Sequence, residues 1–406
     1  MVQSSIIIRL LSIVCAFASS ILINRALGLS LRGDYTTIFT YSNLLQTTLN
    51  FGIAFAYAPL KNTMGSSRAK ACIMTVSWIQ LMVYTCLALL FLLVDFSQNN
   101  FYICILTISL VINGQVIFVA LLDDIRSRNV ILLISAVFYM MANVAVLLFF
   151  SGNLHMVLAL LAAKLAFETV ACARRDRLFV LRSAELNWET LKKIARFGLP
   201  TAVLGLLISC NYNIDVVILN VLNSNSFEVG VFGVAYTLSN MLWFIPDAFK
   251  EYVYHKSARG DIECATMVLV AANMCICGLI CIAFAIFGEQ LLGLLYGEEY
   301  RTAFSTTMTV FIGIIPMIAF KLIHPIYVNA GKAPIVAKLL IFSVIANVIA
   351  AFILIPLHGA YGAALATVFS YSLCGFMFTI RFVKDYKITK EDCVIEFKKI
   401  VMLLAK

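Results

Sequence analysis

The chain has 406 residues, of which 62% are hydrophobic and only 13% charged, whereas a soluble globular domain carries about 25% charged residues. A water-soluble fold of this size has no room to hide so much apolar surface, so lipid is the solvent for most of the chain. The formal charge of +9 does not mark a nucleic-acid binder, because the basic residues flank apolar segments and form no stripe interleaved with aromatics; membrane topology accounts for them.

The first apolar stretch, 5–27, begins almost at once, holds Arg9, and has no small-residue cleavage site before a polar mature chain. It reads as a span and not as a cleavable signal. Further stretches follow at 36–60, 72–94, 101–122, 129–150 and 154–172. A basic interval, 173–198, comes next; within it 188–197 reads as a short amphipathic helix, with Leu191, Ile194 and Phe197 on one face toward the membrane surface. Spans resume at 199–222, 229–250, 264–287, 303–328, 333–356 and 361–382. The tail, 383–406, again mixes apolar residues with lysines and reads as an interfacial anchor. Helices are required, since open strands leave backbone groups unsatisfied in hydrocarbon and the runs lack the alternation of barrel strands.

Of 30 Lys and Arg residues, only Arg25, Arg32 and Arg301 fall in loops on one side, and Arg9, Lys164, Lys321 and Lys338 lie within spans; the rest occupy the loops and tail of the other side. The positive-inside rule therefore places both termini in the cytoplasm. A shift of 197 residues aligns Ile21-Leu22 with Ile218-Leu219, Gly33 with Gly230, Thr40 with Thr237, Ser42-Asn43 with Ser239-Asn240 and Leu45 with Leu242. That pattern suits a 6+6 duplication whose copies run in the same direction. The expected fold is all-α and integral to the membrane: about 12 transmembrane helices in two pseudo-symmetric six-helix bundles around a central cavity. Its parts are an N-terminal lobe (1–172), a cytoplasmic linker (173–198), a C-terminal lobe (199–382) and a cytoplasmic tail (383–406).

The twelve cysteines lie mostly in apolar segments, none in an outer loop, and behave as small hydrophobes and not as a disulfide framework. Cys275, Cys277 and Cys281 imitate metal-ligand spacing, but mid-span and without a His or carboxylate within a turn, so no metal site is expected. Asp123-Asp124 vaguely resembles the acidic pairs of prenyl-phosphate enzymes; with Arg126 and Arg128 beside it, a salt-bridged loop is the better reading. No GxSxG, P-loop or HExxH pattern occurs, so no catalytic residue and no cofactor are expected.

Ionisable groups inside spans are functional candidates by default, because burying them unpaired is costly. They are Arg9, Lys164 with Glu168, Asp215, Asp247, Lys321 with His324, and Lys338. The cations suit an anionic substrate. Each has a plainer alternative. Lys164 and Glu168, spaced i, i+4, neutralise each other on one face; Arg9 and Lys338 lie near cytoplasmic ends and snorkel; Asp247 meets water or Lys250. Asp215 is mid-span beside Asn211 and Asn213 and must protonate or find a cation. Lys321 and His324 lie between Pro316 and Pro325, which break or kink a helix. His324 suits a proton-linked switch or simple helix packing.

Several segments together resemble the polysaccharide-exporter branch, Wzx-type O-antigen flippases above all, of the multidrug/oligosaccharidyl-lipid/polysaccharide (MOP) flippase superfamily. They are Asn24-Arg25-Ala26-Leu27-Gly28 with Leu31-Arg32-Gly33-Asp34-Tyr35; Phe197-Gly198-Leu199-Pro200 followed by Asn213-Ile214-Asp215 and Val229-Gly230-Val231-Phe232; Leu291 to Tyr300; and Asn329-Ala330-Gly331-Lys332 with Ile355-Pro356 and Gly359 to Thr367. The ordered set covers nearly the whole chain. The usual Pro after Leu-Gly is replaced by Leu29-Ser30, so that outer turn differs in shape. The resemblance implies a MATE-like, two-lobed bundle of the bacterial inner (cytoplasmic) membrane. It implies alternating access that moves an undecaprenyl-pyrophosphate-linked oligosaccharide repeat unit from the cytoplasmic to the outer leaflet. Arg9, Arg25, Lys164 and Lys321 are then the candidates for pyrophosphate and sugar, and Asp215 and His324 for ion coupling. The implied partners are the lipid-linked substrate, membrane lipids, a polysaccharide polymerase and chain-length proteins. Competing readings are a cation-coupled multidrug exporter, disfavoured by spans richer in cations than in carboxylates; a membrane glycosyltransferase or polymerase, disfavoured by the lack of a large catalytic loop; and a non-transporting scaffold.

Overall fold

Apolar runs without a hydrogen-bonding solvent must close their backbone bonds locally, and the computed structural model, described for residues 2–179, 187–223, 225–257, 262–389, 391–396 and 398, is helical throughout its regular structure. The helices are α1 (Val2–Leu49), α2 (Tyr57–Met64), α3 (Ser66–Val94), α4 (Gln98–Asp123), α5 (Ile125–Phe149), α6 (Leu154–Arg175), α7 (Trp188–Asn223), α8 (Ser226–Leu242), α9 (Phe244–Ser257), α10 (Glu263–Tyr296), α11 (Phe304–Asn329) and α12 (Ala333–Tyr386). Among the described residues, 10 helical segments are long and apolar enough to cross a membrane.

Two of these account for the difference from twelve. At 48 and 54 residues, α1 and α12 measure roughly 72 and 81 Å along their contour, more than twice a hydrocarbon core of about 30 Å. Each contains one glycine out of helical geometry, Gly28 (φ 69°, ψ 171°) and Gly359 (φ 56°, ψ −131°). Each glycine separates two arms long enough to span. The turn at Gly28 frees the Ala26 carbonyl, which accepts from the Gly152 N–H (2.7 Å) and the Ser151 hydroxyl (3.2 Å) in the α5–α6 turn. At Gly359, the restarting helix offers the Ala360 N–H to Glu228 Oε2 at 2.7 Å, a carboxylate set at a helix N-terminus.

The chain forms two compact units, Met1–Ser209 and Cys210–Lys406. Their boundary lies inside α7, which gives its first turns to one unit and the remainder to the other. The 188–197 segment is thus not a separate helix but the opening of α7. Ile194 is buried in the first unit's core with Tyr57, Ile73, Val116 and Cys172, while Leu191 and Phe197 are exposed. One aligned pair of the 197-residue shift makes the local bond that hydroxyls make throughout these helices. Ser42 Oγ donates to the Ile38 carbonyl at 2.8 Å and Ser239 Oγ to the Ala235 carbonyl at 2.7 Å, and both acceptors and donors are related by the same shift. Gly28 itself shifts onto Asn225, whose side chain caps α8.

One span is broken, and a second is loosened, in ways that hydropathy does not reveal. In the first unit, the helix ends at Leu49; Phe51 (φ 50°) and Gly52 (φ 65°) turn the chain into a 3-10 segment, Ile53–Ala56, before α2. The freed Leu49 carbonyl accepts from Gln80 Nε2 (2.7 Å) and the Tyr84 hydroxyl (2.8 Å), while Gln115 Nε2 donates to Asn50 Oδ1 (2.9 Å) and Gln80 Oε1 (2.8 Å). These amides and this hydroxyl supply what lipid cannot. The break meets the start of α7 backbone to backbone: a Cβ on Gly52 would lie 2.2 Å from the Gly198 carbonyl oxygen. In the second unit, Trp243 joins α8 to α9 in helical geometry (φ −63°, ψ −19°), its N–H donating to the Ser239 carbonyl at 3.0 Å, and Pro246 in the first turn of α9 only removes the donor to the Leu242 carbonyl. The prolines of α11 do not break it. It runs through Pro316 and Pro325, which remove only the N–H groups that the carbonyls of Ile312 and Lys321 would otherwise accept from.

Candidate functional site

The second unit holds the most developed polar arrangement. On α11, Lys321 has a side chain only 11% exposed, and its Nζ donates to Asp247 Oδ1 of α9 at 2.7 Å. The ammonium also lies 4.8 Å from the centroid of the Trp243 ring and 5.8 Å from that of Tyr212. Tyr212, Trp243 and Tyr371 pack as a tilted and edge-on trio with centroids 5.8–6.3 Å apart. Two aromatic faces, backed by Tyr371, and one carboxylate therefore hold a cation that the membrane interior would otherwise reject. Cation–π contacts of this kind stabilise by up to about 2 kcal/mol when desolvated.

The expected pairing of Asp247 with water or Lys250 gives way to Lys321, which the packing of α9 on α11 brings within 2.7 Å. His324, one turn beyond Lys321, faces elsewhere. It is buried, stacked on Phe320 at 4.7 Å, with Nδ1 3.0 Å from the Phe320 carbonyl oxygen, the arrangement of a packing histidine.

A second cluster surrounds Asp215 of α7, which is 1% exposed. Its Oδ2 accepts from Thr367 Oγ1 (2.7 Å) and Asn347 Nδ2 (3.1 Å), one from each arm of α12. A turn earlier, Asn211 exchanges hydrogen bonds with Ser343 and Ser370 on the same two arms. Among the described residues, Asp215 Oδ1 and Asn347 Oδ1 have no hydrogen-bond partner. A buried carboxylate with an unused oxygen beside an amide oxygen offers the hard donors that a proton or an alkali cation takes.

In the first unit Lys164 and Glu168 do pair along α6, Nζ to Oε1 at 3.5 Å, with Glu168 almost fully buried. Ser135 Oγ donates to the same carboxylate at 2.8 Å and Asn113 Nδ2 at 3.4 Å. The Lys164 ammonium lies 5.4 Å from the Tyr139 ring centroid. Its charge is already matched. Arg25 is exposed near the Gly28 turn, and Lys338 is exposed on α12. Arg9 lies on α1, and its side chain is outside the described residues. The expected set of four headgroup cations is thus distributed over both units, and Lys321 is the member most deeply buried among those described.

The Asp123-Asp124 pair is structural. Asp123 takes Lys61 (2.8 Å), Lys70 (2.5 Å) and the Tyr57 hydroxyl (2.7 Å), tying α2 and α3 to the end of α4. Asp124 caps α5 through Ser127 and Arg126 and lies 3.8 Å from Arg175. The Ser127 hydroxyl, with the N–H groups of Ser127 and Arg126, holds the Asp124 carboxyl below the usual carboxylate range. Its neighbours Arg126 and Arg128 are not the partners of Asp123. All twelve cysteines are free, and no cluster of three His, Cys, Asp or Glu side chains forms among the described residues.

Trp243, Asn347 and Thr367 lay outside sequence reasoning as site members, and Asp247 was a candidate without its partner Lys321. The uncharged ones carry no ionisable signal, and the pairing of Asp247 depends on α9 meeting α11, which no local pattern announces.

No family model matches the chain. A capsular polysaccharide biosynthesis protein of Staphylococcus aureus, CapF, is 26% identical over 236 residues, 54% of this chain and 58% of that protein, so the chain matches somewhat more than half the length of this curated relative. Among solved structures, an inward-facing multidrug resistance MATE family transporter of the MOP superfamily aligns over 93% of this chain and 96% of its own, with a TM-score of 0.71 and 14% identity. The lipid II flippase MurJ, in an inward closed conformation, aligns over 100% of this chain and 92% of its own, with a TM-score of 0.72 and 12% identity. The chain has the fold that these MOP-superfamily transport proteins share: an all-helical, multi-pass membrane fold.

Proposed function

We propose that this protein is a flippase of the bacterial cytoplasmic membrane. It carries undecaprenyl-pyrophosphate-linked repeat units of a surface polysaccharide, O-antigen or similar, from the cytoplasmic to the outer leaflet by alternating access. The observation that carries this reading is Lys321, an ammonium 11% exposed in an apolar bundle and faced by Trp243 and Tyr212. Such a centre suits a phosphorylated headgroup, with aromatic faces for the sugar rings. The fold supports transport over synthesis, and the partial likeness to a capsule-biosynthesis protein supports a polysaccharide lipid over a drug. In this reading Asp215, with Asn347 and Thr367, takes the coupling cation.

A multidrug exporter of the same fold is the alternative. It calls for acceptors of organic cations, and here the aromatic box already encloses a fixed cation. Depletion of the protein tests the proposal: lipid-linked repeat units should accumulate at the inner leaflet, and wild type but not Lys321→Gln should relieve the accumulation. Intact surface polysaccharide without accumulation would remove the proposal and favour the exporter.

A further inference from the structure

Resting on the flippase reading, we infer that Asp247 is an exchangeable counter-ion: it occupies Lys321 while the site is free of substrate and is displaced by the pyrophosphate of the incoming lipid.

An ammonium as buried as Lys321 cannot stand unpaired, because the desolvation it suffers exceeds what two aromatic faces return. The free protein therefore has to supply an anion, and Asp247 supplies it at 2.7 Å. The two partners are unequally buried, 11% for Lys321 and 33% for Asp247. Breaking the pair is hence cheap on one side only. The carboxylate regains water when it leaves, whereas the ammonium stays inside its aromatic box and needs a new anion at once. A phosphate oxygen meets that need with the same charge-assisted hydrogen bond and more negative charge behind it.

The backbone makes the exchange mechanically possible. Asp247 sits in the first turn of α9, four residues after Trp243 and next to Pro246. Pro246 cannot donate to the Leu242 carbonyl, so α8 and α9 are joined by fewer hydrogen bonds than one continuous helix would have. Lys250 lies three residues further along α9, the spacing at which a released carboxylate finds a partner on its own helix. Anion exchange at Lys321 would thereby be coupled to the position of α9 on α11. Trp243, at the α8–α9 junction and against the ammonium, reports the event.

The test uses the full chain in zwitterionic nanodiscs, with geranylgeranyl pyrophosphate as the probe. The other tryptophans, Trp78 and Trp188, are replaced by Phe so that emission comes from Trp243 alone. Asp247→Asn should bind the probe on the order of tenfold more tightly, the scale of one competing charge-assisted hydrogen bond removed. Lys321→Gln should lose the binding response, and the double variant should behave like Lys321→Gln. In the protein with Asp247 intact, bound probe should raise carbodiimide labelling of Asp247, read by mass spectrometry. That readout does not depend on the folding of any Asp247 variant. Wild-type binding that Asp247→Asn leaves unchanged or weakens, or labelling that bound probe leaves unchanged, overturns the counter-ion and leaves the flippase reading standing. No binding of the probe to wild type overturns both.

Discussion

Replacing Gly52 with Ala should damage the protein far more than an equally strained glycine elsewhere. Gly52 has φ +65°, and an Ala Cβ there would sit 2.2 Å from the Gly198 carbonyl oxygen and 2.8 Å from its carbon. Ordinary contact requires more than 3 Å, so the break in the second span and the opening of α7 must part by about 1 Å. Gly152 provides the control: its φ is +80° with nothing within 4 Å of the added Cβ. Gly152→Ala should therefore cost only left-handed strain, about 1–2 kcal/mol. Gly52→Ala carries that strain plus an overpacking cost of about 2 kcal/mol. For a unit the size of Met1–Ser209, the extra cost corresponds to a midpoint about 4–8 °C below that of Gly152→Ala. Thermal unfolding of the purified variants in one detergent, followed by Trp emission at a fixed scan rate, measures the difference. Equal midpoints for the two variants would refute the claim that the Phe197-Gly198-Leu199-Pro200 segment exists to let backbone meet backbone at this break.

Asp215→Asn keeps both hydrogen-bonding neighbours and removes a buried charge. It should fold with a thermal midpoint at or above wild type yet lose the cation dependence of transport, and retained dependence on sodium or proton gradient would exclude Asp215 as the coupling site. Lys164→Gln leaves the Glu168 carboxylate buried without its cation and should cost about 3 kcal/mol. The Lys164→Gln/Glu168→Gln pair should recover most of that loss, and a double variant as unstable as the single one would show that the pair does not act as a unit. Asp124 has its folded-state pKa lowered, so the stability it adds is present above the ordinary carboxylate range and disappears as pH falls through the lowered value. Acid unfolding should accordingly be less steep in Asp124→Asn, and an unchanged acid limb would remove the capping interaction as its cause.

What could be read from the sequence was whatever the solvent imposes. Long apolar runs such as 72–94 and 101–122 lie within α3 and α4 because hydrocarbon leaves the backbone no other arrangement. The i, i+4 pairing of Lys164 with Glu168 was legible because both partners lie on one helix. What depends on two helices meeting was not legible. Lys321 finds Asp247 across 74 positions of chain, and nothing local distinguishes Asp247 from a carboxylate that ends its helix in water. The helix break after Leu49 escaped for a related reason. Its compensation comes from Gln80, Tyr84 and Gln115, uncharged groups that barely interrupt the hydropathy of their spans. Amide side chains in the middle of apolar runs, Asn347 for the Asp215 cluster and Gln80 and Gln115 for the break after Leu49, are the signal that would have pointed to these two.

Reconstitution tests the central claim most directly. Purified protein in liposomes, with a fluorescent undecaprenyl-pyrophosphate oligosaccharide in both leaflets, is exposed to a membrane-impermeant quencher. Flipping should carry quenching well beyond the half set by the outer leaflet, and Lys321→Gln should leave it near that half. Quenching that stops at half with active wild-type protein, alongside export of a cationic dye by the same vesicles, would contradict the account and make the protein a drug exporter.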